Sequence, residues 1–195
     1  MGAAEPTETP DRDGAFPRLS ETQVETLTAR GRCSRTTVGE SLYRQGDSPY
    51  DFFVVLEGLV SAHADAEADE PAVAVHGPRR FLGELSLLTG QPAFYTTVVR
   101  EAGEVLQVAP ETLRLLVGED PALADLVLRA FLLRRELLSG LGAGLKIVGS
   151  RHLPDTRRLR DFAARNRLPF QWVDPERDPR AEELLERLGV RPEET

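Results

Sequence analysis

Apolar positions change their spacing twice along the 195 residues, and those changes divide the chain. Residues 16–31, FPRLSETQVETLTARG, place Val24 and Leu27 on one helical stripe behind Ser20, with Gln23 three positions on. That pair is a capping box, and Gly31 is the expected stop. From Arg32 to about Val108 the texture becomes short β-rich runs: TTVGESLYRQGDSPYDFFVVLEGLVSAHA, AVAVHG and TTVVREAGEVLQVA. Gly39, Gly46, Gly58, Gly77 and Gly103 fall where turns are needed, which predicts an antiparallel barrel or sandwich. Ala64 to Pro71 reads as an acidic hairpin tip.

Helical spacing returns after Pro110, which sits at N1 of a helix ending near Gly118. A longer helix begins after Asp120. Leu123, Leu126, Ala130, Leu133 and Leu137 follow 3-4 spacing, while Leu128, Phe131, Leu132 and Leu138 add apolar surface beside that seam. A helix apolar on several sides is buried on several sides. One face is expected on the barrel and one on a partner chain as a homodimer; burial wholly within a monomer is the alternative. SGLGAG, residues 139–144, breaks the chain. Beyond it LKIVG and FQWV read as strands, PDTRRLRDFAARN as a helix with Leu159, Phe162 and Ala163 inward, and DPRAEELLERLG as a helix capped by Asp178. The order β-α-β-α favours a parallel pair of strands.

Composition narrows this frame. The first 15 residues are polar, rich in Pro, Glu and Thr, and read as a disordered leader. No stretch of 18 apolar residues occurs, and no secretory h-region, so the expected compartment is the cytoplasm. A net charge of −8 disfavours nucleic acid as a partner. Cys33 is the single cysteine, so neither a redox pair nor a cysteine zinc site can form, and it reads as a small core residue. No metal-ligand set is apparent.

The segment that carries chemistry is RRFLGELSLLTGQPAFYTTVV, residues 79–99. FLGELSLL is a glycine turn into a short apolar helix whose N–H groups, from Gly83 to Ser86, can face an anion. Taken with FPRLS and GESLYRQGD, this order resembles the cyclic-nucleotide-binding domain family over residues 16–140. The resemblance implies an eight-stranded jelly roll with flanking helices and a C-terminal helix that closes the site and often pairs the dimer. It also implies a phosphate-binding cassette at Phe81, Gly83, Glu84, Leu85 and Ser86, with Thr96 and Thr97 beside it. Cyclic-nucleotide binders of the family place an arginine shortly after the cassette. The corresponding position here is Ala93 or Phe94, depending on the end counted from, and neither is basic. Losing one charge-assisted bond to phosphate removes about 1.5–3 kcal/mol, roughly ten- to a hundredfold in affinity. Arg79 and Arg80 are the possible phosphate partners; otherwise the pocket is degenerate, empty or open to another small ligand, and cyclic AMP is not expected to bind.

IVGSRHLPDTRRLRDFAARNRLPFQWVDPERD resembles the opening β-α-β of a thioredoxin, without its thiols, because Ser150 to Pro154 reads Ser-Arg-His-Leu-Pro. The expected fold is therefore an antiparallel jelly-roll barrel with flanking helices (α+β), followed by a partial α/β thioredoxin-like segment. The expected divisions are a leader at 1–15, the barrel domain with its dimer helix at 16–140, and the partial segment at 145–195. Together these modules resemble the N-terminal portion of bacterial flavin-dependent thioredoxin-disulfide reductases. No Gly-x-Gly-x-x-Gly is present, so FAD and NADPH are expected only if a reductase module follows. The expected role is a non-catalytic regulatory and dimerisation module in or on such an enzyme, with a redox-enzyme partner. The alternative is a catabolite-activator-like transcription regulator responding to a small ligand. Such a regulator needs a basic recognition helix, whereas DPRAEELLERLG is acidic.

Overall fold

The computed structural model describes residues 7–64, 72–85, 90, 92–140, 145–166, 170–178 and 181. The chain separates into two units, Met1–Glu136 and Leu137–Thr195. The acidic tip at 65–71, Ser86 of the cassette and all but Ala181 of the last helix's body lie outside the described residues.

In the first unit, α1 (Glu21–Thr28) starts at the expected capping box. Ser20 Oγ accepts from Gln23 N at 3.2 Å, and Gln23 Oε1 accepts from Ser20 N at 2.9 Å. The sheet contains β1 (Arg32–Thr36), β2 (Phe52–His63), β3 (Ala74–His76), β4 (Phe81–Leu82) and β5 (Thr96–Val108). Its order is β1-β5-β2-β3, with β4 also on β2, and every pairing is antiparallel. Residues 39–47 fold back along the start of β5, through Thr97 N to Tyr43 O (3.0 Å), Gly46 N to Ala93 O (2.9 Å) and Ala93 N to Asp47 O (3.0 Å). Among the described residues the sheet has five strands, two of them long, where the resemblance implied an eight-stranded jelly roll. Gly58 and Gly103, expected in turns, instead lie inside β2 and β5 where the register shifts. Gly58 has φ +86°, and a Cβ there would stand 2.4 Å from Glu101 O, so only glycine lets the strands cross this bulge.

Two helices close the unit. α2 (Pro110–Glu119) has proline at N1, and Asp120 Oδ1 then accepts from Ala122 N (2.9 Å) and Leu123 N (3.1 Å) to start α3 (Pro121–Gly140). Leu123, Val127, Ala130 and Leu113 join Phe52, Phe81 and Leu106 in one core. Leu123 and Ala130, expected in a seam with a partner, are fully buried in their own chain. Leu126 packs on the core, Leu133 packs on Ala15 and Phe16, and Leu137 is exposed. The reason is that 3-4 spacing also fits the row that sits on the barrel. Leu128 and Leu132, off the seam, are also exposed, at 48% and 56%.

Two further expectations change here. Cys33 is exposed, because its position on β1 points away from the core. Residues 7–15 of the expected leader are tied to the barrel. Thr9 N donates to Val75 O (3.1 Å), Val75 N donates to Thr9 Oγ1 (2.8 Å), and Glu8 pairs with Arg18. Composition lowers the gain from ordering a segment, but an open edge strand supplies backbone partners that composition cannot anticipate.

In the second unit, β6 (Leu145–Val148) and β7 (Phe170–Val173) pair in parallel around α4 (Pro154–Arg165), as the β-α-β order predicted. Ile147, Ala163 and Val173 are buried. Leu159 and Phe162 are not: they stand 54% and 58% exposed. The helix instead turns Thr156, Arg160 and Ala163 inward, at i, i+4 and i+7, and Arg160 lies 3.9 Å over the Trp172 ring. Among the described residues, no helix is long and apolar enough to cross a membrane.

Candidate ligand-binding site

The cassette turn sits where β4 leaves the sheet. Gly83 has φ +94°, and a Cβ would lie 2.4 Å from Asp51 O and 3.0 Å from Phe52 Cα. The turn is therefore pressed onto the start of β2, which only glycine permits. Phe81 stacks on Phe52 with centroids 5.3 Å apart, and Leu85 is buried. These residues build the wall rather than line an opening.

Glu84 is fully buried, and its partner is a residue the sequence reading missed. Arg134 of α3 places Nη1 2.9 Å from Glu84 Oε1, at 5% and 0% side-chain exposure respectively. The guanidinium also donates from Nε to Ala15 O (2.6 Å) and from Nη1 to Phe81 O (3.0 Å). Its hydrogen bonds are aimed at those two carbonyls, while its contact with Glu84 Oε1 is a buried ion pair. Arg134 also lies 4.7 Å over the Phe81 ring and 5.2 Å over the Phe16 ring. A signal existed: Arg134 continues the stripe of Val127 and Ala130 at helical spacing, an arginine in a row of core positions.

The other expected contacts are committed elsewhere. Thr97 Oγ1 exchanges 3.2 Å contacts with Tyr43 N and O, and Thr96 Oγ1 accepts from Gln45 N (3.0 Å). Both threonines therefore hold the chain returning past the cassette. Arg80 is buried, donates to Thr9 O and Val75 O, and stands 4.0 Å from Glu8. Burial holds its basicity below that of a free guanidinium. Arg79 is exposed on a turn at φ +66°. Ala93 is buried and Phe94 half-buried, so no basic side chain stands at either position the family's arginine would take.

His76 closes the far side of this region. Its ring meets Phe16 edge-on at 5.7 Å, its Nδ1 is buried without a hydrogen-bond partner, and burial, with Arg134 and Arg80 nearby, holds its pKa well below 6.5. A neutral imidazole therefore faces the pair. Tyr43 and Tyr95 meet tilted, their ring centroids 5.6 Å apart, and burial pushes both phenols above their ordinary range. A separate open cavity of about 490 Å³ lies between Tyr43, Tyr50, Asp47, Asp51 and Glu111. Three carboxylates make that opening unsuitable for a phosphate.

Residues 35–120 match the family model for the cyclic nucleotide-binding domain. Among curated proteins, potassium channel AKT2 of Oryza sativa subsp. japonica is 29% identical over 94 residues, covering 48% of this chain and 11% of the channel. Among solved structures, the catabolite activator protein of Thermus thermophilus is similar at 25% identity and TM-score 0.52, over 66% of this chain and 61% of that one. A transcriptional regulator from Thermotoga maritima shares the fold at 19% identity and TM-score 0.52, over 60% of this chain and 92% of that one. The chain thus spans 11% of the channel and 61% of the Thermus protein. The first unit is thus similar to domains of the cyclic-nucleotide-binding type.

Proposed function

We propose that the chain is a non-catalytic regulatory and dimerisation module whose nucleotide-type pocket is degenerate. The observation that supports this is the capture of the cassette's Glu84 by Arg134, together with the uncharged residues Ala93 and Phe94 after the cassette. A cyclic nucleotide would bring its phosphate to a site without a charge partner, and its sugar hydroxyls would have to compete with a buried ion pair for the Glu84 carboxylate. Homodimerisation rests on Leu128 and Leu132, exposed on the helix that the family uses for pairing. The finer assignment, regulation of or membership in a flavin-dependent disulfide reductase, rests on the thiol-free β-α-β pattern and the parallel pair β6–β7.

A second reading, a ligand-responsive transcription regulator, is favoured by the names of the Thermus and Thermotoga proteins. The parallel β-α-β pair after the long helix weighs against it, since groove recognition uses a basic helix. Thermal shift with cyclic AMP at about 100 μM tests the degenerate pocket. No change in Tm is expected, whereas a ligand at a hundred times its Kd adds about 2.7 kcal/mol, several degrees at this size. A saturable upward shift with cyclic AMP would overturn the reading. FAD and NADPH, run beside it, serve as the reductase-side ligands.

A further inference from the structure

The second unit has an opening of its own. β6 and β7 are parallel, so the turns after Val148 and Val173 leave the pair at the same end, where open α/β sheets bind their ligands. A cavity of about 370 Å³ lies there between Arg151, Trp172, Asp174, Arg177 and Asp178. Its walls are held from behind. Asp174 is 7% exposed; its Oδ2 accepts from Arg151 Nε (3.0 Å) and Nη2 (2.8 Å), and its Oδ1 accepts from Glu176 N (3.2 Å). The Asp174 carbonyl accepts from Arg177 N (3.0 Å) and Asp178 N (2.9 Å), which winds the turn carrying Arg177 against the strand end. The Trp172 indole donates to Gly149 O at 2.9 Å and lies under the Arg160 guanidinium, 3.9 Å from the ring, so it stands as a fixed aromatic surface on the cavity wall. The charges of the lining are unequal in freedom. Arg151 is matched by Asp174, whereas the exposed Arg177 guanidinium has no ion-pair partner among the described residues.

From this arrangement we propose that the second unit binds a mononucleotide, a planar base carrying a single phosphate, in this cavity. The base lies against Trp172, and the phosphate is held by Arg177 with Arg151 beside it, because a guanidinium offers phosphate a planar fork of donors. Stacking on an aromatic wall tolerates any base, so the site selects a ring with one anionic group rather than a particular base. Asp174 and Asp178 stand on the same opening and oppose further negative charge, so a triphosphate gains nothing over a monophosphate. The volume lies within the range of small-molecule sites. Neither Glu84 nor Arg134 takes part, and the site is independent of any ligand in the first unit.

Trp172 is the chain's single tryptophan, so its emission reads this cavity directly. The full chain is titrated with AMP, adenosine, inorganic phosphate and ATP, followed by tryptophan emission and by calorimetry. AMP should change the emission saturably, adenosine should bind about ten- to a hundredfold more weakly, and inorganic phosphate alone should leave the emission unchanged. ATP should bind no tighter than AMP. Arg177→Ala, an exposed substitution that keeps the Arg151–Asp174 pair, should weaken AMP by about tenfold and leave adenosine as it was, and Arg177→Lys should recover part of the loss. Glu84→Gln, in the first unit, should leave the AMP titration unchanged. No saturable change in emission up to about 10 mM AMP overturns the site. So does an AMP affinity unaltered in Arg177→Ala, and so does loss of the signal in Glu84→Gln, which would put the nucleotide in the first unit. ATP binding tighter than AMP overturns the restriction to one phosphate.

Discussion

Replacing Arg134 by methionine keeps the length and apolar bulk of the side chain and removes its charge. The guanidinium is 96% buried, 2.9 Å from a fully buried carboxylate, bonded to two carbonyls and stacked over two rings. Without it Glu84 becomes an uncompensated buried charge, and breaking such a pair from one side costs about 3–5 kcal/mol. Loss of the two ring contacts adds about 1 kcal/mol. At about 2–4 °C per kcal/mol for a chain of this size, the barrel transition should fall by roughly 10 °C or more. Glu84→Gln should cost less, since Arg134 keeps its carbonyl partners. The double variant should be more stable than the sum of the singles predicts, by about 2 kcal/mol, because the stranded carboxylate is gone. The probe must report the right unit. Trp172, the chain's single tryptophan, lies in the second unit, whereas all three tyrosines lie in the first. Urea unfolding should therefore be followed by tyrosine emission or circular dichroism. Single-variant costs that add to within about 0.5 kcal/mol would show that Glu84 and Arg134 are not one energetic unit, and the account of the pocket would fall with them.

Two further outcomes follow. His76 is held neutral in the folded chain, so below pH 6.5 the unfolded chain takes up a proton that the folded chain refuses. Stability should therefore decline as pH falls from 6.5, by up to about 1.4 kcal/mol per pH unit, until the folded pKa is reached. His76→Gln should flatten that slope between pH 6.5 and 5, and a variant curve parallel to the parent's in urea melts would exclude the imidazole as its source. Leu132→Asp, on the exposed face of α3, should convert a dimer to a monomer in sedimentation velocity without loss of helix content. A parent already monomeric at about 50 μM removes the dimer from the proposal.

What could be read in advance was local in the chain. The capping box at Ser20, the proline start at Pro110, the Asp120 cap and the glycine demanded at position 83 each depend on residues within a few positions, so spacing reveals them. The parallel pair β6–β7 was legible for a related reason, since a short β-α-β admits few other arrangements. What escaped depends on contacts between distant segments. Spacing at Leu123 and Ala130 marks a buried row but not which surface buries it, and the chain's own barrel took it. Thr9 to Phe16 looked unable to fold on its own, which remains compatible with its burial. Its order comes from the edge of β3 and from Arg134, neither of which its composition reflects.

Glu84 and the inward Arg134 are one electrostatic arrangement. A cassette carboxylate at 0% exposure, with neither a ligand nor a nearby cation, would stand as an isolated charge in an apolar barrel end, which folding does not tolerate. Here the neutralising cation comes from α3, whose Arg134 Nη1 lies 2.9 Å from Glu84 Oε1. The same guanidinium then holds the Ala15 carbonyl and covers the Phe16 ring, so neutralising Glu84 and seating the N-terminal segment are coupled through one side chain. Any ligand that draws on Glu84 must therefore offer Arg134 a replacement surface as well as offering the carboxylate a donor.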